Sequence, residues 1–259
     1  MNDLRIALVQ PDIKWKKTEE NLAKYSEMLH GLKEPVDLVV LPEMFQTGFC
    51  IEPADIAETM DGNAVRWMSR TAKSLDCALA GSLVIKDNRR YYNRLIYVDQ
   101  YENLTWYDKR HLFSFAGEEK KFTKGLNRLV VPLKEWRMNF QICYDLRFPV
   151  WSKNTNDYDI LIFVASWPAS RNDVWEALLR ARAIENQCYV IGVNRVGSDD
   201  NNLSYIGNSV AIDPKGRILT DMPNPNEGIV SVSLMRSELD DFREKFPVWK
   251  DWDDFSINK

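Results

Sequence analysis

Two short apolar runs, Leu4 to Val9 and Val36 to Leu41, are rich in strand-forming residues, and each is followed by a proline, Pro11 and Pro42. Between them Leu22, Tyr25, Leu29 and Leu32 recur at helical spacing, with Thr18 placed to cap a helix whose first turn holds Glu19 and Glu20. Strand, helix and strand in that order read as a β-α-β unit with neighbouring buried strands, the signature of an α/β fold. The alternation continues. Asp61 to Ser74 keeps the helical period through Val65, Met68 and Ala72, and Cys77 to Lys86 reads as a strand broken at Gly81. Turn-like residues at 87–90 and 100–102 then separate Tyr91 to Asp99 from Leu104 to Asp108, so an antiparallel meander is expected.

Further along, Leu129 to Leu133, Met138 to Cys143, Asp159 to Ala165, Tyr189 to Val193, Ile206 to Ile212 and Ile229 to Leu234 all read as strands. Asp173 to Asn186 reads as a helix, with Asp173 and Glu176 as its capping box. Asp213-Pro214-Lys215-Gly216 has a type I turn pattern. The irregular segment from His111 to Gly125 is long for a connection in a compact domain, which points to lining or covering a site. No repeat or linker divides the chain, and 259 residues with 45% hydrophobic content suit one domain, 1–259. The tail, 246–259, is aromatic for a terminus, with Trp249, Trp252 and Phe255. It is expected to pack on a second subunit or to fold back on its own domain.

Composition excludes several classes of function. A formal charge of −4 without a Lys/Arg run gives no footprint for a nucleic-acid backbone. The first ten residues are too short and too charged for a signal peptide, and no apolar run approaches the roughly 18 residues of a membrane span. A soluble, cytoplasmic protein is expected. Cys50, Cys77, Cys143 and Cys188 are scattered, so four reduced thiols are expected, and neither His30 nor His111 lies near a cysteine at metal-ligand spacing. No metal and no cofactor are expected.

Polar residues at the ends of apolar strands are placed where open α/β sheets bind ligands. Glu43 follows Val39-Val40-Leu41-Pro42, Lys109 follows Leu104 to Asp108, and Cys143 follows Phe140-Gln141-Ile142. A thiol with a reference pKa near 8.5 is only a few per cent thiolate at neutral pH, so attack on an amide needs a base. Glu43 can take the proton, pass it to the departing ammonia and later deprotonate the water that cleaves the thioester. Lys109 and the N–H of Tyr144 can hold the developing oxyanion. Taken singly, each reads more readily as an ordinary surface charge, an ion pair or a small buried thiol; their coincidence carries the reading.

The order Leu-Pro-Glu, Asp-Lys-Arg-His-Leu and Ile-Cys-Tyr-Asp-Leu-Arg-Phe-Pro, followed by Ala-Ser-Trp-Pro at 165–168 and Arg-Ala-Arg-Ala-Ile-Glu-Asn at 180–186, resembles the nitrilase, or carbon-nitrogen hydrolase, superfamily along nearly the whole chain. The resemblance implies a four-layer α-β-β-α sandwich with mixed sheets, the triad Glu43-Lys109-Cys143, and a dimer that continues the sandwich. It also implies a second glutamate that orients the lysine and the substrate. Counting back from Gly125 gives Glu118, with Glu119 one step away. Many relatives carry a proline before that glycine, where this chain has Thr-Lys-Gly at 123–125.

Within the superfamily, Cys-Tyr-Asp-Leu-Arg-Phe and Asp-Lys-Arg-His-Leu-Phe resemble the omega-amidase branch, which deamidates 2-oxoglutaramate and 2-oxosuccinamate. Arg147 is then a candidate for the substrate carboxylate, or else a structural partner of Asp145. Phe113, Phe115, Tyr144 and Trp167 are candidates for the wall of a narrow slot. Arg182 and Glu185, three apart on a helix, should pair. Three alternatives remain: the same machinery turned to nitriles or N-carbamoyl amides, a cysteine enzyme with His111 as base to Cys143, and a non-catalytic binding protein that retains the triad.

Overall fold

A computed structural model of the protein describes residues 3–220, 222 and 224–257. In chain order the first half contains β1 (Leu4–Gln10), α1 (Thr18–His30), β2 (Leu38–Val40), α2 (Asn63–Leu75), β3 (Ala78–Asp87), β4 (Arg90–Val98) and β5 (Leu104–Asp108). The second half contains β6 (Leu129–Leu133), β7 (Trp136–Ile142), α3 (Pro149–Ser152), β8 (Ile160–Val164), α4 (Asn172–Asn186), β9 (Tyr189–Val193), β10 (Val196–Ser198), β11 (Ser204–Ile206), β12 (Val210–Ile212), β13 (Gly228–Leu234) and α5 (Arg236–Lys245).

The strands make two large mixed sheets, ordered β13-β1-β2-β3-β4-β5 and β12-β9-β8-β7-β6, with β10 and β11 pairing separately. The expected β-α-β unit places β1 parallel to β2 with Ile6 opposite Leu38, and the meander β3-β4-β5 is antiparallel. Side chains of a strand alternate between its two faces. In β1, Leu4, Ile6 and Leu8 turn into a core shared with Met138, Phe140 and Ile142 of β7 and Ile160, Ile162 and Val164 of β8. Ala7 and Val9 turn outward against Leu22, Tyr25 and Leu29 of α1 and Val65 and Met68 of α2. Leu161 and Phe163 of β8 likewise turn outward, against Trp175, Leu179 and Ala183 of α4. Helices, sheet, sheet and helix therefore stack in four layers, the α-β-β-α sandwich that the resemblance implied.

Four local expectations need correction. β3 runs unbroken through Gly81, where a Cβ would lie 2.9 Å from both Leu41 Cβ and Phe45 Cδ1; the glycine permits close packing instead of ending the strand. The run Ile206 to Ile212 is split into β11 and β12 by Gly207 and Asn208, both at positive φ. Thr18 is the first helical residue of α1, after Lys17, and caps nothing with its side chain. Asp173 lies inside the first turn of α4, where its charge suits the helix N-terminus, while Glu176 accepts hydrogen bonds from Asn172 and Asn208 side chains instead of closing a capping box.

The described part of the tail touches its own chain at a few points and leaves Phe246, Trp249 and Phe255 exposed. The Phe246 carbonyl accepts from Gln187 Nε2 at 2.8 Å, Lys153 Nζ lies 3.8 Å over the Trp252 ring, and Ile257 packs against the central core.

Candidate active site

The exits of β2, β5 and β7 bring Glu43, Lys109 and Cys143 to one cavity. After β2 the chain turns through Met44 at φ +46, whose N–H donates to Ser82 Oγ while the Phe45 N–H donates to the Ser82 carbonyl. That turn leaves Glu43 fully buried between the sheets. Lys109, immediately after β5, is also buried, and its N–H continues the ladder to the Asn93 carbonyl.

Cys143, immediately after β7, opens a tight turn over 143–147 with its backbone at φ +44. A non-glycine residue in that region costs about 1–2 kcal/mol and persists only where its surroundings fix it. Here the fixing group is the buried Asp145. Its Oδ2 accepts from the Ile142 N–H at 3.0 Å and the Tyr107 hydroxyl at 2.7 Å, and its Oδ1 accepts from the His111 N–H at 2.9 Å. One carboxylate thus ties the exit of β5, on both sides of Lys109, to the exit of β7.

Around Lys109 Nζ stand two carboxylates, Glu43 Oε1 at 2.8 Å and Glu118 Oε2 at 3.0 Å. Asn93 Nδ2 donates to both glutamates, 2.8 Å to Glu43 Oε1 and 3.1 Å to Glu118 Oε1. Glu43 Oε2 accepts from the Ser166 N–H at 2.9 Å and is otherwise open towards the cavity. Glu118 also accepts from the Phe113 N–H at 2.6 Å, which closes the irregular segment 111–125 around it, whereas Glu119 is exposed. Cys143 stands close enough to Glu43 and Lys109 for both charges to act on its sulfur. Its thiol is pushed up by burial and by the Glu43 charge, against the pull of Lys109. Burial also raises Glu118, while the Lys109 ammonium, which burial alone would disfavour, is held protonated by Glu118 and Glu43.

Glu43, Lys109, Cys143 and Ser166 line a cavity of about 230 Å³ whose walls include Phe49, Phe113, Tyr144, Arg147, Trp167 and Arg171, with Glu118 and Asn93 behind it. Of the expected wall residues, Phe115 is not among them: it is 87% exposed and reaches only the Phe113 ring, 5.8 Å away. Arg147 does not pair with Asp145, whose oxygens are taken as described; its guanidinium lies 5.1 Å over the Trp167 ring. Arg182 and Glu185 do pair, at 3.0 Å. His111 is stacked on Phe148 at 3.8 Å with Nδ1 bonded to Asp145 at 2.8 Å, and it does not line the cavity.

In the sequence Asn93 carries no assigned role, Ser166 is marked only as part of a motif, and Asp145 enters only as a partner for Arg147. Asn93 sits inside β4 as one polar residue among several, opposite Val84 in the sheet, and only the hydrogen bond it accepts from the Ser82 hydroxyl and the burial of both reveal it. Among the described residues no cluster of His, Cys, Asp and Glu could hold a metal ion, all four cysteines are free, and no helix is long and apolar enough to cross a membrane. The assembled parts are a thiol, a carboxylate lining the same cavity, and an ammonium paired with that carboxylate, which are those a thiol needs to attack an amide and expel ammonia.

Comparison with known proteins agrees with this chemistry. The carbon-nitrogen hydrolase family profile matches residues 5–244. The chain is 41% identical over 257 residues to the omega-amidase YafV of Escherichia coli K12, covering 99% of this chain and 100% of that one. It is 34% identical over 251 residues to the 2-oxoglutaramate amidase of Bacillus subtilis, covering 95% and 96%. A crystal structure of a CN-hydrolase superfamily protein from Xanthomonas campestris, with an arsenic adduct in its active site, superposes with a TM-score of 0.97 at 41% identity over the full length of both chains.

Proposed function

The chain belongs to the carbon-nitrogen hydrolase family, and from that premise we propose that it is an omega-amidase, converting a small carboxylic acid monoamide such as 2-oxoglutaramate or 2-oxosuccinamate to the diacid and ammonia. The observation that carries this reading is the buried Lys109 ammonium between Glu43 and Glu118, beside the Cys143 sulfur on the floor of a small cavity.

The resting sulfur is a thiol, because burial and the Glu43 charge oppose ionisation. Glu43 Oε1 is engaged by Lys109 and Asn93, so Oε2 is the oxygen free to exchange protons with the sulfur. As the sulfur bonds to the amide carbon, its proton passes to Oε2 and the carbonyl oxygen becomes an oxyanion. Two of the three Lys109 protons point at carboxylates, and the third, with the Tyr144 N–H, stabilises that oxyanion. Collapse breaks the carbon-nitrogen bond while the nitrogen takes the proton from Glu43 and leaves as ammonia. Glu43 then deprotonates a water, whose oxygen displaces the sulfur from the thioester, and Cys143 recovers its proton. Glu118 holds Lys109 in place. Arg147, with Phe113, Tyr144 and Trp167, receives the remainder of the substrate.

The whole chain acts as one catalytic unit, in keeping with a central core drawn from both sheets. Two copies pair, covering exposed apolar side chains such as Ile184, Ile218 and Phe246. Four free cysteines suit the reducing cytoplasm.

Ammonia release from 2-oxoglutaramate, glutamine, asparagine, an N-carbamoyl amino acid and a short nitrile tests the reaction. The expected result is the highest kcat/KM on the 2-oxo monoamide and its loss in Cys143→Ala. A preference for the nitrile or the carbamoyl compound, or undiminished turnover in the variant, would refute it.

A further inference from the structure

Among the charged residues lining the cavity, most are already compensated by the protein. Lys109 is neutralised by Glu43 and Glu118. Asp199 accepts from the Tyr205 hydroxyl at 2.9 Å and from the N–H groups of Asn201 and Leu203. Two guanidiniums remain, those of Arg147 and Arg171. Elsewhere, Arg94, Arg137, Arg182 and Arg195 each have a carboxylate partner. Arg147 and Arg171 are instead held by rings: Arg147 lies 5.1 Å over Trp167, and Arg171 lies 5.1 Å over Phe113. The two supports are joined, because Trp167 Nε1 donates to the Arg171 carbonyl at 2.8 Å. Both cations are therefore held against rings, and among the described residues no side chain or carbonyl takes up their guanidinium N–H groups, which leaves those edges for a ligand.

We infer that Arg171 is a specificity-determining residue, forming with Arg147 a two-guanidinium subsite for the carboxylate and adjacent 2-oxo group at the far end of the substrate. The inference rests on the amidase reading above and extends it to substrate charge. A 2-oxo acid offers three electronegative oxygens in one plane, which suit two planar donor forks. A 2-amino acid of the same length would place its ammonium beside two cations, so this subsite selects the 2-oxo over the 2-amino compound.

The test compares kcat/KM for 2-oxoglutaramate, glutamine and pentanamide in the wild type and in Arg171→Met, Arg171→Gln and Arg171→Lys. Product affinity is measured alongside, by calorimetric titration of 2-oxoglutarate, which needs no turnover. Losing a charge-assisted contact of this kind lowers affinity roughly 10- to 100-fold. The ratio of 2-oxoglutaramate to pentanamide should fall by that factor in the Met and Gln variants, through KM and not kcat, with partial recovery in the Lys variant. The ratio of 2-oxoglutaramate to glutamine should fall as well, and 2-oxoglutarate should bind correspondingly more weakly. Equal losses on all three amides, or 2-oxoglutarate affinity unaffected by any substitution, would overturn the inference. A wild type that releases no ammonia yet binds 2-oxoglutarate through Arg171 would refute the amidase reading and leave the subsite standing.

Discussion

Asn93 donates to Glu43 and Glu118 at once, and it shows how much of the site depends on neutral neighbours. Replacing it with Ala leaves each buried carboxylate short of a donor, so Asn93→Ala should lower kcat roughly 10- to 100-fold, read from initial rates of ammonia release. The two candidate bases separate more sharply. Glu43→Gln should abolish turnover, whereas His111→Asn should cost an order of magnitude at most, because His111 faces Asp145 and Phe148 and not the cavity. The Glu43 charge also holds the Cys143 thiol up, so removing it should move the onset of alkylation by iodoacetamide to lower pH; a shift to higher pH would contradict this. At this scale the sequence pointed to Glu43, Lys109 and Cys143 through three strand exits taken together with the order of the motifs, and the fold brings all three to one cavity. Phe115 was misplaced because an aromatic residue in a loop carries no mark of which way it faces, and its ring is largely in solvent.

Among the elements, the segment 111–125 holds only two short 3-10 turns and is fastened through its backbone to β4 and to Lys109 just after β5. Gly125 donates its N–H to the Lys109 carbonyl, and a Cβ there would lie 2.0 Å from the Asp108 carbonyl oxygen, backbone that cannot yield without moving Lys109. Gly125→Ala should therefore lower both the melting temperature and kcat, while Lys124→Ala, at an exposed neighbour, should change neither appreciably. The Thr-Lys-Gly sequence there still anchors the loop, through the Thr123 N–H to the Tyr91 carbonyl at 2.7 Å. Strand and helix positions followed from apolar periodicity, which burial enforces directly. Caps and strand breaks did not, because they depend on partners distant in the chain: Glu176 is engaged by Asn208, and Gly81 faces Leu41 and Phe45.

At the scale of the whole molecule, Asp159 is a buried charge that joins distant parts of the chain. It is fully buried at the start of β8 and is paired with Arg137, Arg236 and Arg243, so it ties α5 to the second sheet. Burial opposes its ionisation, but the three guanidiniums prevail and hold its carboxyl below the usual aspartate value. A depressed carboxylate contributes stability that is present above the unfolded-state value, near pH 3.9, and is lost as pH falls through the folded-state value. Asp159→Asn should therefore destabilise the protein by about 2–3 kcal/mol at pH 7, and the deficit should shrink below pH 4, as followed by urea denaturation. None of this network could be read in advance, since three arginines spread over more than a hundred residues carry no pattern until the chain has folded. The central claim is that Cys143 carries the acyl group during turnover. It is tested most directly by the intact mass of enzyme quenched in acid while hydrolysing 2-oxoglutaramate. The account predicts an adduct equal to substrate less ammonia, located on the peptide containing Cys143 and absent from Cys143→Ala; turnover without an adduct, or an adduct on another residue, would contradict it.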